Sequence, residues 1–139
     1  MSVQTHELFY PMLAMFVWTF LILLRNVQVR VSAVLKGELT NEYFELFRGA
    51  EPSDTIVKTQ NHLRNLMEIP PLFYIVAFAI MFTGKTDSTF LMLAWSYVAF
   101  RVGHGLVHLT INKVPARFFF FLLSNLALFA MWVRLGALL

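Results

Sequence analysis

The chain alternates long apolar runs with short polar ones. Four of these runs can cross a hydrocarbon core about 30 Å thick at about 1.5 Å of helical rise per residue: Leu8 to Leu24, Leu66 to Thr83, Thr89 to Ile111 and Phe118 to Leu138. With their flanks they predict helices over roughly 6–36, 53–83, 88–112 and 115–138. Gly84-Lys85-Thr86-Asp87-Ser88 makes a tight turn after the second helix, and Asn112-Lys113-Val114-Pro115 makes another after the third, with Pro115 suited to a first helical turn. Links this short make neighbouring helices antiparallel. The pattern therefore predicts an all-α, up-down four-helix membrane bundle forming a single domain, 1–139. The segment from about Gly37 to Ser53 reads as the one true loop, and Pro52-Ser53-Asp54 starts the second helix well before its membrane entry. The first apolar run is too long for a signal peptide, has no basic residue in front of it and no small-residue cleavage site before Arg25, so it reads as a retained helix.

Polar residues break this pattern where hydrocarbon should begin. Asn61, Arg64, Asn65 and Glu68 run directly into Ile69-Pro70-Pro71-Leu72-Phe73, and at i, i+3, i+4 and i+7 they share a stripe roughly 100° wide. Such a stripe must face protein, a ligand or water rather than lipid. The third helix carries a second stripe, Tyr97, Arg101, His104, His108 and Asn112, with Gly103 and Gly105 allowing close helix approach beside it. A purely structural network would neutralise Arg101 or Arg64 with Glu68 and bond the histidines to carbonyls. Two aligned stripes, with Arg117 at the same end, favour a functional site, because ionisable residues inside a membrane are costly to keep.

Composition agrees with the membrane class: of 139 residues, 58% are hydrophobic and only 14% charged, and the mean hydropathy is +0.66. The net charge of +3 does not indicate nucleic acid, since the basic residues are dispersed and form no cluster interleaved with aromatics. Their distribution instead predicts orientation. Arg25, Arg30, Lys36, Arg48, Lys58 and Arg64 lie in or beside the first connection, and Lys113 and Arg117 lie at the third, whereas the opposite side has Lys85 and Arg134. By the positive-inside rule both termini are outside, and the polar stripes meet the cytoplasmic interface of an inner membrane. The chain has no cysteine, so it has no disulfide framework, zinc-thiolate cluster or thiol nucleophile. Any sulfur chemistry must use a thiol carried by the ligand.

Three chemistries compete for the stripes. His104 and His108 at i, i+4 suggest a metal or haem, but zinc sites usually need three or four ligands, and no HExxH or cysteine partner is present. A transporter would carry polar residues in its helices, yet the chain lacks the paired broken helices and inverted halves of secondary transporters. An anionic ligand fits better. Arg30, Arg64, Arg101 and Arg117 offer planar forks for carboxylates, and Glu68 offers a counter-ion for an ammonium group, an inventory that matches a small zwitterionic peptide with excess carboxylate.

The run Asn61-His62-Leu63-Arg64-Asn65-Leu66-Met67-Glu68-Ile69-Pro70-Pro71 resembles the Arg-Asn-x-x-Glu signature of helix two in the membrane-associated proteins of eicosanoid and glutathione metabolism, the MAPEG family. Gln28-Val29-Arg30 is similar to that family's Gln-Val-Arg, Arg101-Val102-Gly103-His104 to its Arg-Val-x-His, and Pro115-Ala116-Arg117 to its Pro-x-Arg. Each motif alone is weak, but in order on four helices they are specific. The resemblance is to microsomal glutathione transferases and prostaglandin E synthases, in a bacterial-type member. It implies a homotrimer of four-helix subunits, with glutathione bound between neighbours near the cytoplasmic face and a lipophilic small molecule or lipid entering from the bilayer.

By position, the resemblance makes Arg30, Arg64, Asn65, Glu68, His104 and His108 glutathione-binding residues. Arg117 is the arginine that activates the thiol, Arg101 and Tyr97 form a supporting network, and no metal is expected. A guanidinium near a thiol whose ordinary pKa is about 8.5 favours the nucleophilic thiolate. The departures are also informative. Phe118 stands where prostaglandin-synthesising relatives have a serine and Phe121 where they have a tyrosine, which argues against prostaglandin isomerisation. His108 replaces a frequent tyrosine and brings a group that titrates near neutral pH. The expectation is a membrane-embedded glutathione transferase, or a glutathione peroxidase acting on lipid hydroperoxides. The alternative is a non-enzymatic lipid-binding or scaffold member of the same fold.

Overall fold

A computed structural model describes residues 4–46 and 48–139. After one turn of 3-10 helix at Thr5–Leu8, the chain forms α1 (Phe9–Leu35), α2 (Asn41–Leu46), α3 (Asp54–Glu68), α4 (Pro70–Phe82), α5 (Ser88–Leu109) and α6 (Val114–Leu138). The described residues contain no strand. Helices α3 and α4 are two parts of one span, Asp54–Phe82, so four stretches are long and apolar enough to cross a membrane. Their outward faces carry residues such as Phe16, Phe20, Leu24, Phe78 and Phe129, all exposed, as a surface in contact with hydrocarbon requires.

The core runs between the four spans. Met15 and Ile22 of α1 meet Leu66, Phe73, Val76 and Ile80 of the second span, Phe90, Ala94 and Tyr97 of α5, and Leu128, Met131 and Leu135 of α6. Phe73 and Tyr97 stack with ring centres 4.4 Å apart. The closest helix contacts fall at glycines. A Cβ on Gly103 would lie 2.9 Å from two ring carbons of Phe120, and one on Gly105 would lie 2.5 Å from His62 Nε2 and 2.6 Å from Trp18 Cζ2. These two glycines therefore allow α6 and the α1–α3 pair to approach α5.

Two local features differ from the pattern-based expectation. The second helix is interrupted at Ile69, because Pro70 and Pro71 supply no backbone N–H to continue the ladder. The Gly37–Ser53 connection is not wholly a loop but contains α2, whose Tyr43 packs with Leu39, Ala33 and Ile56 in a second small core. At the opposite end Gly84, with φ +66°, closes α4, and its N–H donates to the Met81 carbonyl. Asp87 caps α5 by accepting from the Phe90 N–H and also pairs with Arg134 of α6. Partial burial opposes ionisation of Asp87, but the Phe90 N–H and the Arg134 guanidinium outweigh it and hold the carboxyl below its usual range. The Asp87 contribution is thus present above the ordinary carboxylate pKa and is lost as the pH falls through the lowered folded value.

Candidate functional site

At the end of the bundle where α5 hands over to α6, the chain builds a buried polar cluster. Arg101 is completely buried one turn before His104, and its Nη1 donates to Asn65 Oδ1 of α3 at 2.8 Å. The guanidinium lies 5.5 Å from the ring centre of Tyr97 and 5.2 Å from that of Phe121. Glu68 is not its partner. Aromatic faces and an amide carbonyl surround this cation, which explains how a charge without a neighbouring carboxylate is accommodated.

Above Arg101, Asn65, His104 and Arg117 line a cavity of about 240 Å³, closed on its other sides by Val114, Phe118 and Phe121. Arg117 is held in place by a specific contact. Its Nη1 donates to Asn112 Oδ1 at 2.9 Å, and Asn112 itself adopts φ +48°, with its N–H donating to the Val107 carbonyl at 2.8 Å. Asparagine is one of the few residues that tolerate this left-handed conformation, so one side chain both ends α5 and orients the arginine of α6. The cavity thus combines a fixed guanidinium, an imidazole and an amide with a phenylalanine wall.

Arg30 and Arg64 lie elsewhere. They line a groove of about 480 Å³ between α1 and α3, together with Asn26, Gln60, Asn61 and Met67. Arg30 sits 5.1 Å from the ring centre of Phe44 on α2, so the short helix also shapes this groove. Glu68 approaches Arg64 at 3.9 Å, and both side chains are mostly exposed, at 59% and 74%. Asn61 contributes to the same groove as Arg64 rather than standing apart from it. The groove continues into an apolar one of about 340 Å³, lined by Phe16, Phe20, Leu66, Pro71 and Tyr74, with Leu23 and Met67 shared by both.

The structure therefore brings Asn65, His104 and Arg117 together, and separately Arg30 and Arg64, with Glu68 beside Arg64. No described cavity contains both sets. His108 lines neither; it is buried behind His104, with ring centres 5.8 Å apart. Tyr97 lies beneath, fully buried. Sequence reasoning missed the site role of His62, which is fully buried against both His104 and His108. Two residues before Arg64 and six before Glu68, it points well away from them around the helix, so a stripe drawn through those charges passes it by. Asn112 was visible as the end of the α5 stripe, but its contact with Arg117 was not. Among the described residues, no group of three or more His, Cys, Asp or Glu side chains is arranged to hold a metal ion.

This arrangement suits an anion that needs several fixed donors and tolerates an apolar neighbour. The chain matches the family model of the MAPEG family over residues 8–137. No curated protein matches it significantly.

Proposed function

The chain belongs to the MAPEG family, a family of multi-pass membrane proteins, and from this premise we propose that it is a membrane-embedded glutathione transferase. The observation that carries the reading is the cavity in which Arg117, anchored by Asn112, stands beside His104 and Asn65 and against Phe118 and Phe121. Glutathione places its thiol here. The S–H bond breaks, the proton leaves to water, and the guanidinium of Arg117 stabilises the sulfur anion. The thiolate then attacks a lipophilic electrophile that rests on the phenylalanine wall. With a lipid hydroperoxide as acceptor, the same thiolate would attack the terminal peroxide oxygen, the O–O bond would break to release the lipid alcohol after protonation, and a second glutathione would reduce the sulfenic acid to the disulfide and water, so peroxidase activity is an extension of one mechanism.

Arg30 and Arg64 supply forks for the peptide's carboxylates, and Glu68 pairs with its ammonium group. They line a different groove from Arg117, so one glutathione spans the groove of one subunit and the cavity of a neighbour in a homotrimer. The apolar extension of the groove toward Phe20 and Tyr74 gives the lipophilic partner a route from the bilayer. The excess of Lys and Arg at this end supports a site on the cytoplasmic side of an inner membrane, with both termini outside.

The test is purification in detergent followed by assay of glutathione conjugation to a lipophilic electrophile. Turnover with saturable glutathione binding is expected. Arg117→Ala should lower turnover about 100-fold while changing affinity little, and Arg64→Ala should weaken binding about tenfold. A protein that neither binds glutathione nor turns over refutes the proposal. The same apolar groove favours a second reading, a lipid-binding scaffold without catalysis, which predicts tight lipid retention and no glutathione affinity.

A further inference from the structure

His62, His104 and His108 form a nearly equilateral triangle of imidazoles in the buried cluster. Its ring centre is 5.3 Å from that of His108 and 5.8 Å from that of His104, and those two are 5.8 Å from each other. Two imidazoles joined by an N–H···N bond of about 2.9 Å have ring centres about 5 Å apart, so the spacing is close to what hydrogen bonding requires. No such bond joins the rings as they stand. The torsion that turns an imidazole is soft, however, and a modest rotation brings nitrogens into line.

The need for such bonds is plain. His62 Nδ1 and Nε2, His104 Nδ1 and His108 Nδ1 are all buried without a hydrogen-bond partner. A buried nitrogen left unpaired loses its hydration without compensation. Most of the other side chains that face the three rings only donate. Trp18 of α1 presents a ring edge and a donor, Arg101 of α5 and Arg117 of α6 only donate, and Lys58 of α3, which faces His108, also only donates. Gly105 leaves the space that the His62 ring fills. An imidazole both donates and accepts, so the two neighbouring imidazoles can complement the two nitrogens of His62.

We propose that His62 is a positioning residue, donating to one neighbour and accepting from the other, so that it fixes the tautomers of His104 and His108. It thereby decides whether the His104 nitrogen that faces the cavity beside Arg117 carries the proton. The consequence for binding rests on the glutathione reading above; the hydrogen-bonded triad does not.

The two are therefore tested separately. In wild-type protein in detergent, without ligand, 15N spectra of the imidazoles should show a through-bond nitrogen–nitrogen coupling from His62 to a neighbouring histidine. His104 and His108 should each adopt one tautomer. His62→Leu should turn both into tautomer mixtures, and His62→Gln, which keeps a donor and an acceptor, should restore a single form. Absence of coupling in the wild type, or unchanged neighbour tautomers in a folded His62→Leu protein, overturns the proposal. In the binding assay His62→Leu should raise the glutathione Kd about five- to tenfold, with most of the loss recovered in His62→Gln. Wild-type protein that binds no glutathione refutes the functional reading and leaves the spectra to decide on His62.

Discussion

The cluster around Arg101 and the groove around Arg64 hold the same kind of charge in opposite ways. Arg101 is wholly buried, bonded to Asn65 and enclosed by the rings of Tyr97 and Phe121. Arg64 is mostly exposed and pairs with its helical neighbour Glu68. One arginine is fixed by the packing of a single chain, whereas the other keeps its freedom until something outside the chain engages it. The fold thus prepares the donor set near Arg117 in advance and leaves the charged side chains of Arg64 and Glu68 open. Preorganised donors cost no reorganisation when charge develops, which suits the half of the site to which the proposed function assigns thiol ionisation.

The sharpest way to break the contrast is to shorten both arginines. Arg101→Ala should cost about 3 kcal/mol of stability, since it opens a cavity and strands Asn65, and thermal unfolding in detergent would register it. Arg64→Ala should change stability by no more than about 0.5 kcal/mol. Arg101→Met separates volume from charge. It should recover most of the loss, because a buried cation without a carboxylate gains little net stability from its charge. A Met variant as unstable as the Ala variant would mean that the guanidinium itself holds the cluster together.

Gly105 tests how tightly the dry side is packed. A methyl group there would meet His62 Nε2 at 2.5 Å and Trp18 at 2.6 Å, both parts of ring systems that cannot simply fold away. Gly105→Ala should therefore destabilise by about 2 kcal/mol, even though alanine is the better helix former. Unchanged stability would show that α5 can slide away from α1 and α3, and that the cluster is looser than its burial suggests.

These features were unequally legible in the sequence. The four spans were readable because a hydrocarbon solvent forces long apolar helices, and the stripes because charge in those helices is rare. Other elements depended on tertiary contacts. Helix α2 is too short for periodicity to reveal, and it forms where Tyr43 can pack on Ala33 and Ile56. His62 stands outside the charged stripe, and its role depends on contacts with His104 and His108 of α5. Glu68 was an equally good partner for Arg64 or Arg101 on paper, and only the direction of each side chain separates the two. The pairing of Asn112 with Arg117 crosses a turn whose geometry depends on one positive φ, which the neighbouring residues did not announce.

That turn supplies a smaller effect. Asn112→Gly preserves the left-handed conformation but removes the carbonyl that holds Arg117, so stability should fall by only about 0.5 kcal/mol. Asn112→Ala loses both and should cost about 1 kcal/mol. If Arg117 needs its anchor, both variants should lower turnover by a similar factor, about tenfold, despite their different stabilities. Turnover that tracks stability instead would assign Asn112 to the helix end alone.

The smallest effect should come from Glu68, and it tests the exposed half of the comparison most directly. A solvated i, i+4 pair at 3.9 Å is worth only a few tenths of a kcal/mol, so Glu68→Gln should leave the melting temperature of the detergent-solubilised protein nearly unchanged. The glutathione Kd should rise about threefold, less than 1 kcal/mol, and high salt should shrink that difference because exposed charges are screened. A stability loss above about 1 kcal/mol, insensitive to salt, would carry the opposite meaning. Glu68 and Arg64 would then be sheltered in the assembled protein, and the cover would have to come from another subunit, since the chain itself leaves both side chains open.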